Sequence, residues 1–558
     1  MKTNRLLLTI GIVILAGILL AALVEKQAEN PQGEADSWLL NSPYEGGCTS
    51  MGLGKNASVD GSTIISQSAD CGSCDFRILR EPAADHPAGS MRPIWHLPQG
   101  SKGLTIEESK ELTDIEIPQL SHTYAYLKAI FGLMNEHQLA IAESTIGGRR
   151  ELRNPKGLFG ITELSMIAME RCKTAREAIK LMGELAEKYG VYFTGEELVV
   201  ADGEEVWNFE VHGPGEDWTP DCGKPGAVWA AQRVPDDSIF VCNNKSRIGE
   251  INPKEPDNFM ASEHVFSMAE EKGWWKRSSG EPFLFNKAYA DYSPLRIKWD
   301  RRVWAAYRLV APSQNFDPDD QEYPFAIKPD RKLSVADVIA LYRDHYQGSK
   351  FDQTVGLATG PFGNPDKPRV DRNSPELVQA VNYIRQIPVI GCDYTVINQC
   401  RKWLPDPIGG IVWWGPDTPD TTVFVPFYVG INQLPQSYTI GNHKTFGREY
   451  AWWAFSFVNN WSHLAYSHII KNIREEQKKL EGAEFALLPE NDKKALELYQ
   501  QNPSKAIELL TKFSEENANK VVEDWWKLAD QLIVKYNDGG GSKVSEEWLK
   551  ALIEAQKK

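Results

Sequence analysis

Two Asp-Gly pairs, each flanked by runs of strand-forming residues, constrain the fold of this chain more than any other feature. Asp60–Gly61 lies between "TSMGLG" and "TIISQSA", and Asp202–Gly203 lies between "EELVVA" and "VWNFEVHG". An Asp-Gly dipeptide readily takes the positive φ values of a tight turn, so each pair predicts an antiparallel hairpin. Residues 162–190 read as helix. Within them "TAREAIKLMGELAEKYG" opens with Thr174 and Glu177 in capping-box spacing and sets Ile179, Met182, Leu185, Ala186 and Tyr189 on one face. It stops at Gly190. Two more strand-like runs follow, "GAVWAAQRV" and "SIFVCNN", and a second β-rich block spans residues 409–431. Hairpins with helices grouped between them imply an α+β domain layered on an antiparallel sheet.

From about residue 445 the pattern changes to long amphipathic helices. Val521, Trp525, Leu528 and Leu532 fall on one helical face, which predicts a helix packed against the protein's own core. With 558 residues, 42% of them hydrophobic, the chain has material for two to four domains and a sizeable core. Its net charge of −15 argues against a nucleic-acid partner, which would meet a basic face. No glycine-rich phosphate loop, HExxH motif or histidine cluster stands in the sequence, so nothing in it calls for a nucleotide, a metal or another cofactor.

Lys2 and Arg5 precede the apolar run "LLLTIGIVILAGILLAAL", residues 6–23. A positive flank before such a run reads as a signal peptide or a signal anchor, with the rest of the chain exported to the periplasm or the exterior. Contact with a membrane is expected only through this segment, before processing. Eight cysteines in an exported chain make disulfides possible. Cys71 and Cys74 form a CxxC without a thioredoxin-like βαβ setting, which favours a local disulfide or two free thiols over redox catalysis.

Cys48 stands apart, because it heads the first hairpin directly behind Gly46 and Gly47. A lipidated cysteine follows its apolar segment within a few residues, whereas Cys48 comes 24 residues after Val24. A catalytic thiol needs a base or a depressed pKa. An α-amino group titrates at about 7.7–8.0, close to a thiol at about 8.5, so a cysteine freed at a new N-terminus carries nucleophile and base on one residue. The two glycines would leave the preceding bond open to intramolecular attack. Spacing alone leaves a nucleophile and a structural disulfide equally open for Cys48.

The stretch "CTSMGLGKNASVDGSTIISQSAD" resembles the opening of the peptidase-D-like dipeptidases, a cysteine family within the N-terminal-nucleophile hydrolases. The family pattern of Cys-Thr followed by a GK-A-S-x-DGS-T element falls here on Cys48, Thr49, Gly54, Lys55, Ala57, Ser58, Asp60, Gly61, Ser62 and Thr63. The resemblance continues through "MNEHQLAIAEST" (134–145), "TAREAIKLMGELAEKYG", "VWAAQRVPDD" (228–237), "GPFGNP" (360–365) and "WLPDPIGGIVWWG" (403–415), and reaches "VKYNDG" (534–539). It implies an αββα sandwich core, autocatalytic maturation, and hydrolysis of dipeptide substrates without a metal. The implied organisation is a signal or anchor segment and propeptide over 1–47, a hydrolase domain with insertions over 48–444, and a helical region over 445–558.

Carried over residue by residue, the resemblance makes Cys48 the nucleophile. Asp70 matches the acid that ends the first hairpin and works near the nucleophile's amino group. Asn244 matches an asparagine approaching that amino end from a neighbouring strand, with Asn243 as the alternative. Many relatives carry an arginine three positions before the acid; Gln67 stands there instead and cannot pair with a carboxylate as arginine does. The segment "AESTIGG" (142–148) is a candidate source of oxyanion donors, with no single group assigned. Two other functions share the features of this hairpin: a cysteine amidase of the bile-salt or penicillin type, and an inactive surface-binding module on the same fold.

Overall fold

The structure is a computed structural model that describes residues 47–97, 103–290, 300–320, 322–366 and 384–557. The apolar run at 6–23 lies outside the described residues. No helix among the described residues is long and apolar enough to cross a membrane.

Both hairpins form, by different means. The strands Thr49–Leu53 and Thr63–Ala69 pair antiparallel, with Met51 opposite Ser66. Between them Gly61 takes φ +86°, and the Asp60 carboxylate accepts from the Ser62 N–H at 3.0 Å. The strands Gly195–Ala201 and Val206–His212 also pair, but here the Asp202 side chain organises the turn. It accepts from the N–H groups of Glu204 at 2.8 Å and Glu205 at 3.1 Å, and Gly203 is not in the left-handed region. The helix expected over 162–190 is two helices, Ile161–Arg171 and Ala175–Tyr189. The chain is extended at Cys172, where the Asn135 amide takes the carbonyls of Met169 and Cys172. The capping box at Thr174 and Glu177 and the stop at Gly190 stand as expected.

The strands gather into two large antiparallel sheets and two small ones. A seven-stranded sheet runs, edge to edge, through Ala326–Ile327, Ile239–Cys242, Thr49–Leu53, Thr63–Ala69, Tyr394–Cys400, Gly410–Pro416 and Val425–Tyr428. The β-rich block at 409–431 is therefore no separate unit. It extends the sheet that carries the first hairpin, joined to it by the Tyr394–Cys400 strand. The eight-stranded sheet has Phe259–Ala261 at one edge, then Val228–Val234, Val206–His212, Gly195–Ala201, Ala140–Ser144, Gly132–Asn135, Tyr126–Lys128 and Leu79–Glu81.

The two sheets stack face to face at the first hairpin. A Cβ added to Gly52 would lie 2.8 Å from Val206 and 3.0 Å from Val199 across the gap, so the glycine permits the close approach. Because both faces of Thr49–Leu53 and Thr63–Ala69 are covered, every residue of these two strands is buried. On the outer face of the eight-stranded sheet, Met169 packs over Gly132 and Gly183 receives Trp229. Against the other sheet lie the helices Arg302–Val310, Val335–Tyr342 and Ala451–Ser462. The result is a mixed α/β domain of several sheets with a helical C-terminal region, and one apolar cluster runs through both large sheets into the C-terminal helices.

That region is dominated by the helices Tyr466–Gln501 and Pro503–Tyr536, with Asn502 capping the second through the Lys505 N–H. Val521, Trp525, Leu528 and Leu532 are all buried, and Trp525 stacks on Phe455 with ring centroids 5.5 Å apart. The amphipathic face packs on the protein's own core, as its spacing predicts.

Candidate active site

Cys48 sits just before the Thr49–Leu53 strand and is buried. Its thiol donates to Glu143 Oε2 at 3.1 Å, and its carbonyl accepts from Ser144 Oγ at 3.1 Å and Arg302 Nη1 at 2.9 Å. Burial pushes the thiol pKa well up, and the charges of Glu143 and Asp70 push it further; the Asp70 backbone N–H opposes them. In the joined chain the thiol is thus held protonated.

Gly47 has φ +126°, and a Cβ there would lie 2.4 Å from Asn244 Oδ1. The position admits glycine alone without displacing the asparagine. Asn244 is itself left-handed at φ +61°, just past the Ile239–Cys242 strand. Its amide donates to Thr145 O at 2.8 Å and Ser144 Oγ at 3.2 Å, while its Oδ1 accepts from Arg302 Nη2 at 2.7 Å. Asn243 contributes only its backbone carbonyl, accepting from Arg302 at 2.9 Å. Of the two asparagines, Asn244 is the one whose side chain abuts Gly47.

Asp70 follows the Thr63–Ala69 strand. Its Oδ2 accepts from Ser68 Oγ at 3.0 Å and Arg385 Nη2 at 2.5 Å. Ser68 Oγ in turn accepts from the Thr49 N–H at 3.1 Å, which links the acid to the residue after the cysteine. Among the described residues, the buried Asp70 Oδ1 has no hydrogen-bond partner. Arg385 also donates to the Gly47 carbonyl at 2.8 Å. The arginine missing at position 67 is thus matched by one from far along the chain. Gln67 turns elsewhere: its Oε1 accepts from the Glu143 N–H at 2.5 Å.

Three residues of this cluster escape a reading of local sequence. Arg302 is fully enclosed and also reaches Thr49 Oγ1 at 2.9 Å, while Asp300 holds it through Oδ2 at 2.6 Å. Desolvation opposes the Arg302 charge, but Asp300 more than offsets it and keeps the guanidinium charged. Burial likewise opposes the Asp300 charge, yet Arg302 and then Arg385 bring its carboxyl below the usual range. Glu143 accepts from Thr145 Oγ1 on Oε1 at 3.0 Å and from the thiol on Oε2; burial pushes its pKa up to about 7. The only signal for Glu143 is its place in "AESTIGG"; Arg302 and Arg385 have none.

Cys71 and Cys74 are joined as a disulfide directly after Asp70. The flanking loop is tied down by the Gly72 N–H on Gly391 O and the Cys74 N–H on Asp393 Oδ2, both at 2.8 Å. Among the described residues, the one cluster of side chains with metal-ligand spacing is Cys71, Cys74 and Asp393. Its two sulfurs are bonded to each other and Asp393 is engaged by His443 at 3.0 Å, so the set is not free to ligate.

The family model described as Peptidase family C69 matches residues 47–479, beginning at the glycine that precedes Cys48. Over 400 residues the chain is 30% identical to a probable dipeptidase of Latilactobacillus sakei, an alignment covering 70% of this chain and 76% of that protein. It is 27% identical over 399 residues to a probable dipeptidase of Salmonella dublin, covering 69% and 81%. Dipeptidase A of Lactobacillus helveticus is 22% identical over 410 residues, covering 70% and 77%.

Proposed function

The chain belongs to peptidase family C69, and from that premise we propose that it is an exported dipeptidase whose nucleophile is Cys48, freed as a new N-terminus. In this reading residues 1–47 are removed, 48–444 form an N-terminal-nucleophile hydrolase domain of the αββα kind, and 445–558 form its helical flank. The stacked sheets with helices outside them support that fold.

The observation that carries the reading is the environment of the Gly47–Cys48 bond. The Gly47 carbonyl accepts from Arg385, the Cys48 carbonyl accepts from Arg302, and Asn244 presses on the Gly47 Cα side. Attack of the thiol on the Gly47 carbonyl would build negative charge on an oxygen that already faces a guanidinium. The C–N bond then breaks, the acyl group passes to sulfur, and water hydrolyses the thioester. An amide nitrogen is not basic, so the proposed base exists only after this cut.

In the freed chain the α-amine accepts the thiol proton and the thiolate attacks the dipeptide carbonyl. The amine returns that proton to the leaving nitrogen, and water resolves the thioester. Asp70 and Asn244 orient the amine. The unpartnered Asp70 Oδ1 and the Asn244 Oδ1 beside Gly47 are the acceptors that support those roles.

Intact-mass analysis of active protein purified from its native compartment tests the reading. The expected mass begins at Cys48; full activity in a chain that keeps earlier residues overturns it. Assay of free dipeptides beside N-acyl amides separates a dipeptidase from a bile-salt or penicillin type of amidase.

A further inference from the structure

We propose that Glu143 is the subsite for the free α-ammonium group of the substrate, and so selects peptides with an unblocked N-terminus. The inference rests on the dipeptidase reading and names the residue through which that specificity acts.

Glu143 and Asp70 act directly on the thiol, Asp300 reaches the cysteine only through Arg302, and the two aspartates each have a guanidinium of their own. Asp70 pairs with Arg385 at 2.5 Å and Asp300 with Arg302 at 2.6 Å. Glu143 is as deeply buried as either, yet no cation pairs with it among the described residues. Its oxygens meet the Cys48 thiol at 3.1 Å, the Thr145 hydroxyl at 3.0 Å and the buried carboxyl group of Glu196, none of them a cation. Its backbone is pinned by Gln67 at 2.5 Å, so the carboxyl group is held in place beside the sulfur. A buried carboxylate without a counter-charge is costly, and a cation that arrives with the ligand removes that cost.

The geometry suits the amino group of the residue being attacked. That nitrogen is two bonds from the reacting carbonyl carbon, about 2.5 Å away. A sulfur poised for attack stands about 3–3.5 Å from the same carbon. An ammonium held at about 2.8 Å from Glu143 Oε2 therefore brings the carbonyl to a sulfur that is itself 3.1 Å from that oxygen. A substrate whose nitrogen is acylated brings no charge and leaves the carboxylate unpaired, which is a strong basis for rejection. Pairing also cancels the negative charge that Glu143 directs at the thiol, so the correct substrate eases thiolate formation.

The test compares a dipeptide with its N-acetyl derivative and with the analogue lacking only the amino group, on wild-type protein and on Glu143→Gln. The wild type is expected to prefer the free dipeptide by at least ~100-fold in kcat/KM. Glu143→Gln should lose ~100-fold on the dipeptide, mainly through KM, while the analogue without the amino group changes less than about threefold. Glu143→Asp should recover part of the preference. Equal losses on all substrates overturn the subsite, as does a Glu143→Gln chain that stays joined at Gly47–Cys48 by intact mass. The wild-type comparison needs no variant to fold: cleavage of all three substrates alike also overturns it. A wild type inactive on every dipeptide instead removes the dipeptidase reading beneath it.

Discussion

Arg385 Nη2 lies 2.5 Å from Asp70 Oδ2, although 315 residues separate the two, and the same nitrogen reaches the Gly47 carbonyl at 2.8 Å. Both side chains of the pair are buried. Arg385→Gln strands a buried carboxylate and should cost about 3–5 kcal/mol of stability, read from the denaturant midpoint. Adding Asp70→Asn should recover most of that loss, because the stranded charge is then gone. Strictly additive losses would show that the pair is not coupled.

Replacing the sulfur tests the chemistry. Cys48→Ser should lower dipeptide turnover by at least ~100-fold, and a correctly processed Cys48→Ala protein should have none. Chelator should leave wild-type turnover unchanged. Near wild-type turnover in the alanine variant removes Cys48 as nucleophile, and activity lost in EDTA and restored by zinc points to a metallopeptidase.

Gly47→Ala addresses the bond before the cysteine. Its Cβ would meet Asn244 Oδ1 at 2.4 Å on a backbone at φ +126°. The variant should therefore accumulate uncut chain, seen by intact mass over time, with normal turnover per cut molecule. Processing at the wild-type rate would show that the fit of Asn244 to Gly47 does not govern the cut.

Glu484 gives a pH dependence of known sign. It is buried between the two long helices, accepts from the Asn517 amide at 2.5 Å, and has its pKa pushed up to about 8 by burial. An unfolded glutamate releases its proton at about 4.3. Between these values unfolding releases a proton, so this share of stability falls as pH rises and levels off above about 8. Asp417, also raised to about 8, acts in the same direction. Thermal midpoints of Glu484→Gln and wild type should diverge in the variant's favour from pH 5 to 8. A constant difference would mean that Glu484 ionises normally.

Local sequence gave good access to elements that local forces build. Thr174 and Glu177 mark a helix start because the capping box needs no distant partner, and the CxxC closes its own disulfide. The pattern at Val521, Trp525, Leu528 and Leu532 reports burial because any face that apolar must be covered. The same reasoning read 162–190 as one helix, since the amide of Asn135 that interrupts it comes from another strand. The resemblance brought Cys48, Asp70 and Asn244 into view, and the fold does bring them into one cluster. Arg302, Arg385 and Glu143 became visible only when the sheets closed. Their partners are 254, 315 and 95 residues distant, and nothing in the neighbouring sequence registers such pairings.

The long helix Tyr466–Gln501 has a consequence for timing. It brings Glu481 to Arg343 at 2.6 Å, Asp492 to Arg401 at 2.5 Å, and Arg474 to Asp420. Each earlier partner is buried or nearly so, and each is synthesised well before its counter-charge, by 138 residues for Arg343. Until that helix docks, Arg343 and Arg401 hold only backbone carbonyls and Asp420 only His345 at 3.2 Å, and each buried pair left broken costs about 3–5 kcal/mol. Chains are made from the N-terminus, so the cysteine emerges well before the clasp that completes its sheet. A growing chain therefore holds its thiol in an unfinished frame until the helix Tyr466–Gln501 has docked.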